Sequence, residues 1–351
     1  MGISKWNAGI IRPIPVAPTG PYSDGAAPGI WSLDQVAYWT KQGLWPIAGN
    51  TAPYGIFGGG FAPDYVNTIN RITIATTGNA SDFGDLSTKT ADLAACGSST
   101  RGVFGGGTIT GGSAVSSITF KLFSSSGNTA SFGNLTLARS GFYACSNATR
   151  GIFAGGLPGS APLYTNVIDY ITIATEGNAT DFGDTIPTIK NEAACASTTR
   201  GVFAGGDDQG TIVNVIQYVT IASTGNATDF GDLVGDDSGR YRYLAGCSSS
   251  TRGIFGGGRV NSPSAVTNSI SYITIATAGN STDFGDLTVA RDDLSSCSSS
   301  TRGIFAGGET ASYQNVIDYI TIATTGNATD FGDLLTSTGF LDACSNVHGG
   351  L

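Results

Sequence analysis

Short apolar segments recur along the chain and are separated by glycine-rich turns. Residues 317–323 are rich in β-branched side chains and apolar on both faces, which predicts a strand covered on both sides. A Gly-Ile-Phe-Ala-Gly-Gly run precedes this segment, and its paired glycines permit a tight exit from another strand. A Thr-Gly-Asn turn then leads into Asp-Phe-Gly at 330–332, and a crowded run of Ala, Cys and Ser forms a further strand. The pattern predicts units of four short strands.

Three markers of this unit each occur six times in the chain. The Gly-Ile/Val-Phe-Gly/Ala-Gly-Gly run begins at Gly55, Gly102, Gly151, Gly201, Gly253 and Gly303. The phenylalanine of the fourth strand recurs as Phe83, Phe132, Phe182, Phe230, Phe284 and Phe331. The small-residue run carries Cys96, Cys145, Cys195, Cys247, Cys297 and Cys344. The glycine runs are spaced by 47 to 52 residues, and a repeat of about this length is typical of architectures that copy one small unit along the chain.

A four-stranded unit that is apolar on both faces needs a neighbour on each side, and closure into a ring supplies both. The first unit starts at Tyr54 without a small-residue strand, and residues 340–346 supply that strand after the last unit. We therefore predict an all-β fold, a six-bladed β-propeller over residues 51–351 that is closed by its C-terminal strand.

This layout resembles that of the Kelch-repeat propellers. The matching features are the double glycine after the second strand and an aromatic residue on each of the third and fourth strands. The third-strand aromatics are Tyr170, Tyr218, Tyr272 and Tyr319. The fourth strand has Phe where Kelch repeats usually have Trp. The resemblance covers about residues 54–351 and implies a Kelch-like propeller, but it implies little about function, because propellers include enzymes, adaptors and adhesins.

Residues 1–50 share nothing with the repeats and are predicted to form an N-terminal anchoring arm. Seven of the twelve prolines lie before residue 54, so residues 13–28 are predicted to be extended. A capping box at 32–35 favours one short helix over about residues 33–42. All four tryptophans lie in this arm: Trp6, Trp31, Trp39 and Trp45. Either the helix packs on the propeller as a lid, or the arm docks into a partner or a sister subunit through these aromatic anchors.

Residues 29–46, GIWSLDQVAYWTKQGLWP, resemble a short segment near the start of tail and other virion proteins of tailed bacteriophages. The repeated wording TGNATDFGDL also resembles repeats of phage structural proteins. Together the two resemblances imply a virion protein. They imply that the arm binds other virion proteins, and a homo-oligomer formed through the arm is a further hypothesis.

Composition and charge narrow the classes of partner. The formal net charge of −9 and the isoelectric point near 4.5 argue against nucleic-acid binding, which depends on clustered cations. No apolar run approaches the length of a membrane span, so we expect no membrane insertion. The N-terminus has no signal-peptide pattern, so we expect synthesis in the host cytoplasm and incorporation into the virion.

The sequence offers few catalytic or metal-binding residues. The six cysteines occupy equivalent positions in different units, so we predict buried free thiols. The Asp-Phe-Gly, glycine-rich and Asn-Ala-Thr motifs recur with the repeat and lack the context of kinase, phosphate-binding or glycosylation sites. His348 is the single histidine, which argues against copper oxidase chemistry and histidine catalysis. We expect no metal, no cofactor and no enzymatic activity.

A Thr-Arg-Gly turn recurs in five units, and a fourth-strand aspartate also recurs in five. If each arginine reaches the aspartate of the following blade, pairs such as Arg101–Asp181 and Arg302–Asp82 are expected. A ring of arginines that binds an anion is the alternative interpretation.

The loops between strands two and three, and those between units, vary among the six copies, while the other turns are nearly constant. Both variable sets are expected on one face of the propeller, where ligand contacts are usually placed. The candidate binding residues of this face are Asp64, Tyr65, Tyr164, Asp207, Asp208, Asp237, Arg240, Tyr241, Arg242, Tyr243 and Tyr313. Loops that bind nothing and have merely diverged are the alternative.

These observations favour a non-catalytic structural and adhesion protein of a bacteriophage virion. The arm would anchor it, and the variable face would bind a host-surface glycan or protein, or another virion protein. Two alternatives stay open: a propeller glycan hydrolase that uses loop carboxylates, and an intracellular Kelch-type scaffold.

Overall fold

The computed structural model describes Asp34 and residues 52–159, 163–235, 239–261 and 264–351. Within these ranges six four-stranded antiparallel sheets form the blades of a β-propeller, which confirms the predicted fold class. The four tryptophans of the arm and its helix predicted at about 33–42 lie outside the described residues, except for Asp34, which is helical and exposed. The propeller belongs to a compact unit, Pro53–Leu351. In the described part of the chain, no helix has the length and hydropathy of a membrane span.

Within each blade the four strands are ordered from the axis of the propeller outward to its rim. The innermost strands are β5 (Ala94–Gly97), β11 (Tyr143–Ser146), β16 (Ala193–Ala196), β22 (Ala245–Ser248), β28 (Ser295–Ser298) and β32 (Asp342–Ser345). The second strands are β1 (Tyr54–Gly58), β6 (Arg101–Gly105), β12 (Arg150–Ala154), β17 (Arg200–Ala204), β23 (Arg252–Gly256) and β29 (Arg302–Ala306). The third strands are β2 (Thr68–Thr73), β8 (Ser117–Leu122), β14 (Val167–Thr172), β20 (Val215–Thr220), β26 (Ser269–Thr274) and β30 (Val316–Thr321). The outermost strands are β3 (Ser81–Asp85), β9 (Ala130–Asn134), β15 (Thr180–Asp184), β21 (Thr228–Asp232), β27 (Thr282–Asp286) and β31 (Thr329–Asp333).

The ring closes through the last strand of the chain, as predicted. Strand β32 pairs antiparallel with β1, with Gly55 opposite Ser345 and Gly58 opposite Asp342. Blade 1 is therefore β32–β1–β2–β3, and blades 2–6 follow in chain order. Strand pairing at this point replaces a covalent connection, so the first and last repeats share one sheet.

Short strands connect the loops on one side of the propeller. They are β4 (Thr90–Ala91), β7 (Thr108–Ile109), β10 (Arg139–Ser140), β13 (Leu157–Pro158), β18 (Asp207–Asp208), β19 (Thr211–Ile212), β24 (Arg259–Asn261) and β25 (Ser264–Val266). In each blade the loop that enters the innermost strand pairs with the loop between the second and third strands, through β4–β7, β10–β13 or single bridges. Both variable loop sets therefore lie on one face, which we call the variable face.

The repeated phrase Thr-Gly-Asn-Ala-Thr-Asp-Phe-Gly-Asp forms the outer contact between neighbouring blades. The Gly326 amide donates to the Phe284 carbonyl (2.8 Å), and the Ala328 amide donates to the Asp286 carbonyl (2.7 Å) of the preceding blade. The Asn327 Oδ1 accepts from the Asp286 amide at 3.1 Å. Each turn therefore pairs with the Phe-Gly-Asp segment of the blade before it, which is why turn and strand repeat together.

Apolar side chains fill the space between the blades. One buried cluster lies at each of the six interfaces and combines residues of two consecutive blades. The pairing of the third and outermost strands shifts register at the phenylalanine of the latter, which is the extra residue of a β-bulge. Phe182, for example, is 2% exposed. The bulge therefore places this ring in the interface.

The cysteines fill the inner part of each interface. All six are buried free thiols, as predicted. Each thiol packs against the first glycine of the second strand in the next blade. At one interface a Cβ on Gly201 would lie 2.7 Å from the Cys145 Sγ, and its next neighbours would be Val219 (3.4 Å) and Ile221 (3.7 Å). A small thiol and an absent side chain therefore complement each other across the interface.

The predicted Arg101–Asp181 and Arg302–Asp82 pairs are wrong. Arg302 does reach the following blade, but it donates to the carbonyls of Ile74 (3.1 Å) and Ala75 (3.0 Å). Its guanidinium also stacks over the Tyr319 ring at 4.7 Å. The arginine is held by this ring and by carbonyls at the end of the neighbouring third strand, while the aspartates stay exposed on the outermost strands.

Arg101 follows the same arrangement and adds one ion pair. It donates to the Ile173 carbonyl at 3.3 Å and pairs with Glu176 at 3.0 Å. Blade 1 has the stack inverted: Tyr54 occupies the arginine position, and Arg71 occupies the aromatic position and lies 4.7 Å over the Tyr54 ring. The copy that lacks the arginine thus keeps the same cation–π contact.

Replacing Gly201 with Ala tests the cysteine–glycine contact. We expect the free energy of unfolding to fall by about 1–3 kcal/mol, the usual range for an overpacked core. In a Cys145→Ala background the same change should cost at least about 1 kcal/mol less, because the contacting sulfur is gone. Urea unfolding measures both. Gly177→Ala is the matched control, since its Cβ would meet nothing within 4 Å, and equal losses in the two backgrounds would contradict the contact.

Candidate functional site

Six residues, one from each blade, close the axis of the propeller at the variable face. Each lies four positions before the cysteine of its blade, and each has a positive φ between 52° and 59°. We call this set the mouth ring: Asp92, Gly141, Asn191, Tyr243, Asp293 and Phe340. The amide of every member donates to the carbonyl of the member in the preceding blade, at 2.9–3.1 Å, and Asp92 completes the circle by donating to Phe340. The mouth ring is thus a closed cycle of six backbone hydrogen bonds.

A cavity of about 20 Å³ lies at the mouth ring, enough room for one water-sized body. Asp92, Asn191, Tyr243 and Asp293 are among the residues that line it. Burial raises the pKa of the Asp92 carboxyl to about 6, against the opposing field of Lys190. Burial, followed by the charges of Asp292 and Asp92, holds the pKa of the Asp293 carboxyl well above its usual value. Two carboxyl groups with an unfavourable ionised form therefore share one small cavity.

The innermost strands line a second axial cavity, of about 60 Å³, which His348 borders. The His348 Nε2 donates to the Gly97 carbonyl (2.9 Å), and its Nδ1 accepts from the Gly350 amide (3.2 Å). Both ring nitrogens are thereby satisfied in the neutral form, and burial lowers the pKa of the imidazole. No pattern in the sequence predicts these partners, and they give His348 a structural role.

A charged arc runs along the variable face in blades 4–6. The Arg242 guanidinium pairs with Asp207 at 3.1 Å, and the Tyr164 hydroxyl donates to the same carboxylate at 3.1 Å. The Gly210 amide also donates to Asp207, at 2.6 Å. The structure thus brings together three predicted binding residues, but Asp207 itself is buried and fully engaged. Its carboxylate holds the loops of three blades together, with Tyr164 from blade 3, Asp207 from blade 4 and Arg242 from blade 5.

The arc continues with a pair that the sequence analysis did not single out. The Arg259 Nε donates to Asp292 at 2.5 Å across the next interface. The hydrogen bond to this carboxylate raises the pKa of Arg259. Asp292 and Arg242 lie five residues before the cysteines of their blades. This fixed distance to the cysteine was the signal in the sequence that could have predicted equivalent places for Asp292 and Arg242.

Aromatic residues meet on the opposite side of the mouth, between blades 6 and 1. The Phe61 ring packs edge to face on Tyr65 at 5.2 Å and lies 5.9 Å from Tyr313. Asp64 is exposed and approaches Lys89 at 3.9 Å. We call Phe61, Tyr65 and Tyr313 the aromatic cluster. Two of its three members were predicted, and both tyrosines keep part of their surface exposed.

The remaining predicted residues differ in their surroundings. Arg240 is exposed, and Asp208 accepts from the Thr188 hydroxyl at 2.9 Å. Asp237 lies outside the described residues. Tyr241 is 4% exposed and belongs to the core cluster between blades 4 and 5. Its prediction as a surface contact is therefore wrong, because its ring occupies the position that Ile189 and Arg139 fill in other blades.

Two ion pairs are completely buried beneath the variable face. Arg139 pairs with Asp169 at 3.1 Å, and Arg291 pairs with Asp318 at 2.9 Å, with all four side chains at 0% exposure. The residues at these two positions differ together between blades: blade 4 has Ile189 at the arginine position and Gln217 at the aspartate position. Each aspartate occurs only in a blade that has the arginine, and this signal was present in the sequence. Such pairs are costly to break singly, because one partner would remain as an isolated buried charge.

Glu192 is a buried acid in a position that is otherwise apolar. Its counterparts in the other blades are Leu93, Phe142, Leu244, Leu294 and Leu341. It is 0% exposed, and neither carboxyl oxygen has a hydrogen-bond partner in another described residue. Burial raises the pKa of this carboxyl well above its usual value, against the smaller effects of its own backbone amide and Arg139. The buried carboxyl group of Glu192 therefore destabilises the folded state.

The chain was also compared with known proteins. No protein-family model matches it, and a search of curated proteins finds no significant match. Within the described ranges, no three His, Cys, Asp or Glu side chains are grouped so that they could hold a metal ion.

Replacing Glu192 with Leu should stabilise the protein at neutral pH by about 1–3 kcal/mol, the cost of an unsatisfied buried polar group.

The raised pKa of Glu192 also determines how the free energy of unfolding depends on pH, because the folded state keeps a proton that the unfolded state releases above about pH 4.3. The contribution of Glu192 is therefore favourable at low pH and is lost as the pH rises. Glu192→Gln should show a flatter dependence of unfolding free energy on pH than the wild type. Urea unfolding from pH 4 to pH 8 measures this, and identical slopes would contradict it.

Proposed function

We propose that the protein is a non-catalytic binding component of a bacteriophage virion, held by its N-terminal arm and recognising a host-surface glycan or protein through the variable face. The observation that carries the binding proposal is a difference between the two faces of the propeller. Turn amides and arginine side chains of the constant face are engaged in contacts between blades, whereas the variable face has exposed side chains. On the constant face, the Thr-Gly-Asn turns pair with neighbouring blades and the arginines donate across the interfaces. Those side chains and amides are occupied in closing the ring.

The variable face has groups left over for a ligand. Five large apolar side chains are exposed among the described residues, and four of them, Leu163, Ile186, Val234 and Leu335, lie in variable-face loops. The aromatic cluster offers partly exposed tyrosines, and Arg240 is exposed beside the charged arc. Aromatic and arginine side chains are the favoured anchors of recognition surfaces. The face therefore combines apolar, aromatic and charged groups on a rigid scaffold.

The virion assignment depends on the resemblance of residues 29–46 to the opening segment of phage virion proteins. The wording of the repeats supports it in the same way. Binding to other virion proteins or to sister copies through the tryptophans of the arm belongs to the same proposal.

The hydrolase alternative needs two carboxyl groups on either side of a sugar. Asp92 and Asp293 share a cavity and have raised pKa values, but that cavity has about 20 Å³. A sugar ring cannot enter a space that holds one water. The pair with the most suitable ionisation is therefore out of reach of a glycan, which favours binding without turnover.

The double variant Tyr65→Ala/Tyr313→Ala tests the face. On an array of bacterial surface polysaccharides and envelope proteins, we expect its affinity for the ligand of the wild type to fall at least about tenfold, equivalent to 1.4 kcal/mol. Thr277→Ala/Thr324→Ala, two exposed turn residues of the constant face, is the matched control and should bind normally. Equal losses in both variants, or release of reducing sugar from a bound polysaccharide, would contradict the proposal.

Deleting residues 1–50 tests the arm. Residues after 52 build all six interface clusters, so we expect a folded propeller that keeps its ligand and no longer enters phage particles. Sedimentation gives its oligomeric mass, and protein analysis of purified particles gives its incorporation. A truncated protein that unfolds would assign the tryptophans to the propeller core. Normal incorporation would remove the anchoring role.

A further inference from the structure

The mouth ring holds more unpaired polar groups than its fold requires. Asp293 is 8% exposed and Asn191 is 5% exposed, and both line the mouth cavity together with Asp92. Among the described residues, none of these three side chains has a hydrogen-bond partner, and no salt bridge involves Asp92 or Asp293. A buried carboxylate without a partner is costly, and two in one cavity repel each other as well. A ligand of opposite charge would remove both costs.

The cations near the mouth are engaged elsewhere. The Arg242 guanidinium pairs with Asp207 at 3.1 Å, and Arg259 pairs with Asp292. The Lys190 ammonium lies 5.0 Å over the Tyr164 ring. Glu309 adds a further negative charge near Asp293. Two of these three cations are thus paired with other acids, while Lys190 acts on Asp92 only through its field, against the effect of burial on the pKa of that carboxyl.

Backbone conformation offers a competing explanation for these residues. Asp and Asn tolerate a positive φ better than most side chains do, so they could occupy the mouth ring for that reason alone. Gly141 meets the same requirement with no side chain at all, whereas Tyr243 and Phe340 meet it with large ones. Conformation thus permits an acid at these positions but does not account for the buried Asp293 and the partly exposed Asp92 lining one cavity without a partner among the described residues.

We propose that the mouth ring binds one divalent metal cation of the calcium class, with Asp92 and Asp293 as carboxylate ligands and the Asn191 amide oxygen as a neutral ligand. Hard cations prefer oxygen ligands of these types, and water completes their coordination. A cavity of about 20 Å³ suits a single ion and excludes an organic ligand. Two carboxylates balance the charge of one such cation. This site is independent of what the surrounding face recognises.

A bound cation would also link blades that are not neighbours. Asp92, Asn191 and Asp293 belong to blades 2, 4 and 6. Ligands from alternate blades would tie the ring at its narrowest point, beside the first and last strands of the chain. The expected result of binding is therefore a more stable propeller.

Calcium chloride is the probe, added to the full chain after treatment with a chelator, with potassium chloride at equal ionic strength as reference. We expect calcium to raise the melting temperature of the wild type and to give saturable heat in calorimetry. Asp92→Asn/Asp293→Asn keeps the size and the tolerance of positive φ but removes both charges. It should lose at least tenfold in calcium affinity. In the chelator it should be more stable than the wild type, because the repulsion is gone, and in calcium this order should reverse.

Asp181→Asn/Asp229→Asn is the matched control, since it removes two negative charges from exposed positions of the outermost strands, away from the mouth ring. It should respond to calcium as the wild type does. Three results would overturn the site: no calcium effect on the wild type up to about 10 mM, above the weakest protein calcium sites, an equal effect on the Asp92/Asp293 variant, or loss of the effect in the control. The first would leave backbone conformation as the explanation for these acids.

Discussion

The hydrogen bonds that join each Thr-Gly-Asn turn to the outer strand of the preceding blade are the constraint on which the fold depends. The bond recurs from Gly177 to Phe132 and from Gly225 to Phe182, and it crosses the closure of the ring from Gly78 to Phe331. Backbone groups must approach closely to make it. A Cβ on Gly183 would lie 2.5 Å from the Gly225 carbonyl, so the glycine of Asp-Phe-Gly is needed for packing. Every copy therefore needs both the turn sequence and the strand sequence. This requirement explains the repeated sequence without reference to function.

Closing six such interfaces crowds the axis, and the inner residues follow from that crowding. Small side chains line the innermost strands, and thiols fit against glycines between the blades. At the variable face the strands are held apart by the mouth ring, whose non-glycine members adopt a conformation that costs about 1–2 kcal/mol each. The closed cycle of backbone hydrogen bonds holds them there. A device that serves closure thus places five side chains and Gly141 around the axis, and the chemistry of these side chains is free to vary.

The sequence predicted what repetition specifies. Six copies each of Phe, Cys and the glycine run predicted the number of blades, and the isolated small-residue strand at 340–346 predicted the closure. It mispredicted the partners of Arg101 and Arg302, because their acceptors are backbone carbonyls, which no residue pattern reveals. Tyr241 was assigned to the binding face since its loop varies among the six copies, although its ring fills a core position. The mouth ring was hidden because its six members differ in type, and only their distance to the cysteines is constant. The division into arm and propeller and the binding role of the face stay predictions.

Departures from the repeat are of two kinds, and the distinction bears on function. Some are compensated: Arg139 appears with Asp169, Arg291 with Asp318, and Tyr54 with Arg71. Such exchanges preserve a contact within one blade and need no further explanation. Others leave an acid without a partner, as with the buried Glu192 and Asp293 and the partly exposed Asp92, whose pKa values are all raised by burial. Glu192 lines neither of the two axial cavities, so its cost stays within the fold. Asp92 and Asp293 face a cavity that they share, so a ligand can offset their cost. Because the chain contains six copies of one unit, each position can be compared with its five counterparts. By this comparison, Asp92 and Asp293 are the unpartnered acids that line a common cavity, so they are the departures from the repeat that a ligand can stabilise.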